Sequence, residues 1–226
     1  MSLEQAISSL RKGDFILLHD GGSRENEVDM VVAGEFVTAE HIARMRQDAG
    51  GLICMSINHA FATSLGLSYM HEILYNSTSL DKDSKSMIIG TAPYGDRPSF
   101  SISVNHKNTF TGITDKERAL TISEMASLYK TREENKKKIF NSTFGTPGHV
   151  PLLIASQGLL SNRLGHTEMS VYLTSLAGLS QVVAICEMLD HKTHGALSIE
   201  NAQRYAKDNA IVYFDGAELI KFAKEH

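Results

Sequence analysis

Two short apolar runs, Phe15-Ile-Leu-Leu18 and Met30-Val-Val-Ala33, are separated by a stretch carrying Arg24, Glu25, Glu27 and Asp29. This feature restricts the fold more than any other. Apolar runs of that length read as buried strands. Gly21-Gly22-Ser23 breaks the first, so the segment predicts strand, loop, strand, with the charges on the loop. In an extended chain Glu25, Glu27 and Asp29 project to one side, because side chains alternate. Three carboxylates on one side repel each other, an arrangement that makes sense if a hard cation or a proton transfer uses them. A polar turn between two strands explains the same residues without chemistry, and composition alone favours that plainer reading.

The rest of the chain mixes helices and strands irregularly. Leu3 to Leu10 has helical spacing. Thr38 caps a helix with Ile42 and Met45 on its apolar face, stopped at Gly50-Gly51. Leu52 to Ile57 is strand-like. Residues 70–98, rich in Ser, Asp, Gly and Pro, read as a long loop of the kind that serves as a lid. Phe100, Ile102 and Val104 alternate with Ser101 and Ser103, as in a half-buried strand. Thr114-Asp-Lys-Glu117 is a capping box, and Ala119, Ile122, Met125 and Tyr129 form the face of the helix it opens. Lys136-Lys137-Lys138 reads as a solvated face. A strand follows Gly148-His149-Val150, a helix capped by Thr167 comes next, and Val182 to Cys186 is a strand ending at Glu187. A helix from Ser198, a strand over 211–214 and a last helix opened by Asp215 and Glu218 as a second capping box complete the order. The predicted fold is α+β, a mixed β-sheet covered by helices in one layered domain spanning residues 1–226. Gly21-Gly22-Ser23 lacks the glycine pattern of a Rossmann turn.

Two further segments are candidates for chemistry. In Arg163-Leu-Gly-His-Thr-Glu168 an arginine, a helix N-terminus and a hydroxyl form a phosphate seat, and His166 can ligate a metal; an ordinary N-cap beside a surface arginine is the alternative. In Thr146-Pro-Gly-His-Val150 glycine permits a close backbone approach that brings His149 to a site, although a lone loop histidine is more often merely solvated. Glu187 sits where sites often lie, at a strand end, and reads equally well as a rim residue. His41, His59, His71, His106, His191, His194 and His226 show no ligand spacing.

A net charge of −4 and a pI near 6.2 argue against nucleic-acid binding. No apolar stretch approaches the roughly 18–20 residues of a membrane helix, and the first residues lack the pattern of a signal peptide. Cys54 and Cys186, far apart and each in an apolar run, read as buried thiols of a reducing cytosol. A cytoplasmic protein is therefore expected.

Together these segments resemble the 3,4-dihydroxy-2-butanone 4-phosphate synthase family of riboflavin biosynthesis. The resemblance rests on Arg24-Glu-Asn-Glu-Val-Asp-Met30, Leu52-Ile-Cys-Met55, Thr111-Gly112 through Thr121, Pro147-Gly-His-Val150, Arg163-Leu-Gly-His-Thr-Glu168 and Cys186-Glu187, in the family's order and over nearly the whole chain. Departures are Val28 where glycine is frequent, Thr146 where arginine is frequent, and Pro151 directly after Val150. No second domain resembling a GTP cyclohydrolase follows, as in the single-function form.

The resemblance implies conversion of D-ribulose 5-phosphate to L-3,4-dihydroxy-2-butanone 4-phosphate and formate, with divalent metal stabilising enediolate intermediates. It implies two Mg2+ ions, with Mn2+ as a substitute, held by Glu25 and His166. It places the substrate against Arg24, Glu25, Asp29, Arg163, Leu164, Gly165, His166, Thr167 and Glu187. It makes His149, Glu187, Asp29 and Glu27 catalytic, with Cys54 near the pocket. It also implies a homodimer with sites near the subunit boundary and residues from both chains around each pocket, His149 being the candidate from the neighbour. Rival readings are another metal-dependent phosphosugar isomerase or aldolase, which releases no formate, a nucleotide- or RNA-binding module of related fold, and an adaptor protein without metal.

Overall fold

Continuous apolar runs, rather than alternating ones, mark strands buried on both faces, and the sheet bears this out. Strands β1 (Ile16–His19) and β2 (Val28–Ala33) are buried along their whole length. The computed structural model describes residues 2–22, 24–88 and 90–225, so Ser23 and His226 lie outside the described residues. To β1 and β2 the chain adds β3 (Cys54–Ile57), β4 (Phe100–His106), β5 (Phe144–Ile154), β6 (Val182–Glu187) and, after the small hairpin β7 (Leu189–Asp190) and β8 (Gly195–Ala196), β9 (Val212–Asp215). Seven of these form one mixed sheet in the order β4-β5-β3-β6-β2-β1-β9. The pairs β3–β5 and β1–β9 are parallel and the other neighbours antiparallel.

Each sheet face carries its own core. On one, Leu17, Met30, Val32, Met55 and Cys186 meet Ile42 of α2 (Ala39–Arg44), Phe61 of α3 (His59–Leu65), Ile122 and Met125 of α5 (Asp115–Tyr129) and Ala202 of α8 (Ile199–Asp208). On the other, Ile16, Leu18, Val31, Cys54, Ile185 and Phe214 meet Leu10 of α1 (Leu3–Lys12), Met169 and Leu173 of α7 (His166–Leu176) and Leu219 of α9 (Gly216–Glu225). The result is the helix-covered mixed sheet that the sequence predicts. Full burial of one such side chain contributes roughly 1.5–3 kcal/mol, so these two cores set a stiff frame on which loops can be held.

Several local expectations need correction. The 70–98 region is not a bare loop: it holds α4 (Met70–Asn76) and a 3-10 turn at Ser84–Met87. At the start of β4 the alternation inverts, with Phe100 exposed and Ser101 buried, because the register with β5 slips between Phe100 and Ser103, while Val104 is buried as expected. Lys136, in α6 (Glu133–Thr143), is buried; its ammonium lies 5.4 Å from the Phe61 ring and 5.3 Å from the Tyr129 ring, a cation–π seat rather than a solvated face. Gly165, not Thr167, is the N-cap of α7. The second capping box does not form: Asp215 accepts from Ala217 N–H, while Glu218 accepts from Leu3 N–H and ties α9 to α1. The box at Thr114 and Glu117 forms as expected.

Candidate active site

Antiparallel pairing of β2 with β6 puts Asp29 directly opposite Glu187. By alternation both share the sheet face of Val31 and Ile185, the face that α7 covers. The start of α7 and the loop before β2 complete a cleft of about 210 Å³. Arg24, Glu25, Glu27, Asp29, Arg163, His166, Thr167 and Glu187 all line it, so most of the residues singled out in three distant segments converge.

His166 is the centre of this arrangement. It is 5% exposed, with Nδ1 3.3 Å from Glu25 Oε2 and 3.9 Å from Asp29 Oδ2, and Nε2 3.3 Å from the Glu27 carbonyl. Burial opposes charge on the ring, but the carboxylates of Asp29, Glu25 and Asp20 outweigh it and raise the imidazole to about 9. Burial likewise works against the Glu25 carboxylate, yet hydrogen bonds from His166 and Tyr94 and the charge of Arg24 hold it down at about 2. Asp29 goes the other way: burial, reinforced by the charges of Glu187, Glu25 and Glu27 and opposed by His166, raises it to about 7. Burial and the same kind of crowding raise Glu27. One cleft thus holds a carboxylate that is firmly ionised and another that exchanges its proton near neutral pH, the separation that acid–base chemistry needs.

The acidic segment reaches this arrangement by a route that simple alternation misses. Glu25 and Glu27 face the same cleft, but Asn26 between them has φ 57°, so the backbone turns there. Asp20, 3% exposed, anchors the turn: its Oδ2 accepts from Glu25 N–H and its Oδ1 from Glu27 N–H, at 3.1 and 3.2 Å.

At the other end of the cleft Arg24 and Arg163 converge on Gly165, where a Cβ would collide with the Arg163 guanidinium and press on that of Arg24. Glu168, fully buried, holds Arg163 Nη1 with one oxygen and accepts Ser156 N–H with the other. Arg163 Nε and Arg24 Nη2 are buried without a hydrogen-bond partner. Two such donors beside the first turn of a helix suit a phosphate group. Leu164, by contrast, is partly exposed and lies outside the cleft lining.

Asp20, Glu25 and His166 bring ligand atoms within 4.8 Å of one another, a set able to hold a cation. Asp20 already accepts from two N–H groups and from Arg24, which makes it the support of the loop and leaves Glu25 and His166 as the candidate ligands. Few protein ligands, one an anionic oxygen, fit magnesium, which keeps much of its shell for water and substrate. The buried, unpartnered Asp29 Oδ1 points to a further polar group in the same place.

Two residues expected to be catalytic also do not join the cleft. His149 is exposed on β5, its Nδ1 3.1 Å from Asn105 Nδ2, because β5 carries it toward the far end of the β4–β5 pair. Cys54 is buried in the core on the α7 side, and burial together with Glu187 and Asp29 pushes its thiol far up, so it stays protonated. Sequence reasoning missed Asp20, Tyr94 and Asp96, and gave Glu168 no role within the segment that it ends. Asp20, a carboxylate at a strand end before Gly21, had a readable signal. Asp96, which accepts from Arg24 Nε at 2.7 Å, and Tyr94, whose ring lies 4.5 Å from the Arg24 guanidinium, had none.

Comparison with known proteins identifies the family. A profile of the 3,4-dihydroxy-2-butanone 4-phosphate synthase family matches residues 4–222. The chain is 42% identical over 219 residues to a 3,4-dihydroxy-2-butanone 4-phosphate synthase of Methanothermobacter thermautotrophicus, covering 97% of this chain and 94% of the relative. It is 32% identical to a riboflavin biosynthesis protein of Staphylococcus saprophyticus, covering all of this chain and 54% of that one. Among solved structures, a 3,4-dihydroxy-2-butanone 4-phosphate synthase in complex with two magnesium ions superposes with a TM-score of 0.81 at 27% identity, over 100% of this chain and 97% of that one. With a matching profile over nearly its whole length, a relative at that identity and the same fold, the chain belongs to the 3,4-dihydroxy-2-butanone 4-phosphate synthase family.

Proposed function

We propose that this protein converts D-ribulose 5-phosphate to L-3,4-dihydroxy-2-butanone 4-phosphate and formate in riboflavin biosynthesis, with residues 1–226 acting as one catalytic domain in the cytoplasm. The observation that carries the reading is the contact of Glu25 with His166, 141 positions apart, at 3.3 Å. Two magnesium ions, or manganese in their place, bind around this pair. Bound there, the metal supplies Lewis acidity to the carbonyl and hydroxyl oxygens of the sugar.

The protein's own groups supply the rest. Arg163, its Nη1 held by Glu168, grips the phosphate together with Thr167, Gly165 and the first turn of α7, and Arg24 and Leu164 border that end. Asp29, raised to about 7, takes and returns a proton at a substrate hydroxyl, and Glu27 and Glu187 serve the later transfers. Cys54 packs behind them. His149 comes from a second subunit: the protein is a homodimer, and the exposed edge bearing His149, Phe110 and Ile113 meets the partner's cleft. Phe110, 96% exposed, and Ile113, 50% exposed, support a covered surface there.

Incubation with ribulose 5-phosphate and magnesium, read by carbon NMR, should yield formate and a four-carbon phosphate, and a chelator should stop it. Conversion to ribose or xylulose phosphate without formate would overturn the reading in favour of an isomerase. Sedimentation of an active monomer would remove the dimer.

A further inference from the structure

Asn26, between the two carboxylates, is where the acidic segment leaves an extended path. Its φ of 57° lies in the left-handed region, which asparagine tolerates better than most residues. Its side chain is engaged as well: Asn26 Oδ1 lies 3.1 Å from His19 Nε2. His19 ends β1 and is 6% exposed. Its ring stacks on Tyr213 with centroids 6.4 Å apart, and its Nδ1 is 3.8 Å from Asp215 Oδ1. Because β1 is paired with β2 on one side and β9 on the other, the ring stands on a stiff part of the sheet. By alternation it shares the face of Leu17, opposite to the face of Leu18, Asp29 and α7.

We propose that His19 is a positioning residue for the metal-binding loop, acting through Asn26. Asp20 holds the N–H groups of Glu25 and Glu27, on either side of Asn26. Two such anchors leave the residue between them able to rotate, and rotation there would swing the Glu25 carboxylate away from His166. The His19–Asn26 contact is the third point of support, made from behind the sheet, and it fixes the turn that presents Glu25 and Glu27 to the cleft. This rests on the reading of Glu25 as a metal ligand.

The test compares wild type with His19→Ala, His19→Gln and Asn26→Gly. Manganese binding is read by EPR on the free protein, and the magnesium dependence of turnover is read separately. His19→Ala and Asn26→Gly should weaken manganese binding by about tenfold or more, the range for groups that orient a metal ligand. They should raise the half-saturating magnesium concentration to match, with most of kcat recovered at saturating metal. His19→Gln, whose amide nitrogen can donate to Asn26 Oδ1, should stay near wild type. Asn26→Gly keeps the left-handed backbone available while removing the side-chain contact, so wild-type manganese affinity there decides the matter if His19→Ala fails to fold. Wild-type manganese affinity in Asn26→Gly overturns the proposal, as does an equal loss in His19→Gln and His19→Ala, which would assign the effect to the ring's bulk. A wild-type protein that binds no divalent cation instead overturns the reading of Glu25, and this inference with it.

Discussion

Glu25 and Glu117 are both held at about 2, but by different kinds of partner. Glu25 lies in the cleft, where burial is outweighed by His166, Tyr94 and the charge of Arg24. Glu117 lies at the exposed corner between β4 and α5, where the cost of leaving water is outweighed by the N–H of Phe110, the hydroxyl of Thr114 and both the N–H and the hydroxyl of Thr111. Its Oε2 also accepts from Gly112 N–H at 3.0 Å. The histidines contrast in the same way: His166 is enclosed by carboxylates, whereas His149 stands exposed beside Asn105. A low carboxylate pKa therefore does not by itself mark a site. Partners that are themselves charged side chains, and that could exchange one another for a ligand, mark the cleft; backbone donors that have no other use mark a loop staple.

The sharpest way to break this contrast is to neutralise each carboxylate. Glu25→Gln should abolish tight metal binding by calorimetry and lower turnover by about 10²–10⁴-fold, the scale of losing a group used in the chemistry. Unchanged metal affinity would return Glu25 to the status of a loop residue.

The next largest effect is that of pH. A ligating histidine must be neutral, and His166 is raised to about 9, so metal affinity should climb roughly tenfold per pH unit from 7 to about 9. The sequence, taking an unperturbed histidine, predicts the change near roughly 6.5. In the metal-free protein the sign is reversed. The stability that His166 contributes is fully present below roughly 6.5 and is lost as pH rises through about 9. Asp29, raised to about 7, keeps a native-state proton that the unfolded chain releases near roughly 4, so stability falls across that window too. Urea denaturation against pH should show both declines, and Asp29→Asn should remove the lower one. A flat profile would contradict the coupled pair.

Arg163→Lys should weaken binding of inorganic phosphate by on the order of 1.5–3 kcal/mol, because a lysine ammonium is a compact point charge without the planar fork that holds Glu168 on one edge and faces the anion with another. Free ribulose should lose much less affinity than its phosphate; equal losses would count against a phosphate seat. The smallest effect belongs to Glu117→Gln. It should leave metal affinity untouched while amide exchange at Phe110, Thr111 and Gly112 accelerates. A change in metal binding there would erase the distinction between the two regions.

Much of the molecule was legible without coordinates. The runs at 15–18, 30–33 and 182–186 are apolar throughout because both of their faces are covered, and a fully buried strand has no other composition available. Thr114 and Glu117 form their box because both partners lie within one turn. The same locality failed at Asp215 and Glu218, where α1 offered Glu218 a competing donor in Leu3 N–H. It failed again at Phe100, where a register slip with β5 outranked alternation.

The residue types and order by themselves determined the strand–loop–strand with its carboxylates, the helix behind Arg163 and the family. Only the tertiary structure decided which of those groups share a cleft. The sheet order places β2 beside β6 and α7 across both, so Glu25 meets His166 and Asp29 meets Glu187. The same frame recruits Asp20 and Asp96 and leaves His149 outside. The physical reason is separation along the chain: a contact between residues 141 positions apart has no period or capping pattern to announce it. It exists because burying two faces of one sheet admits few strand orders, and the site is a consequence of that order.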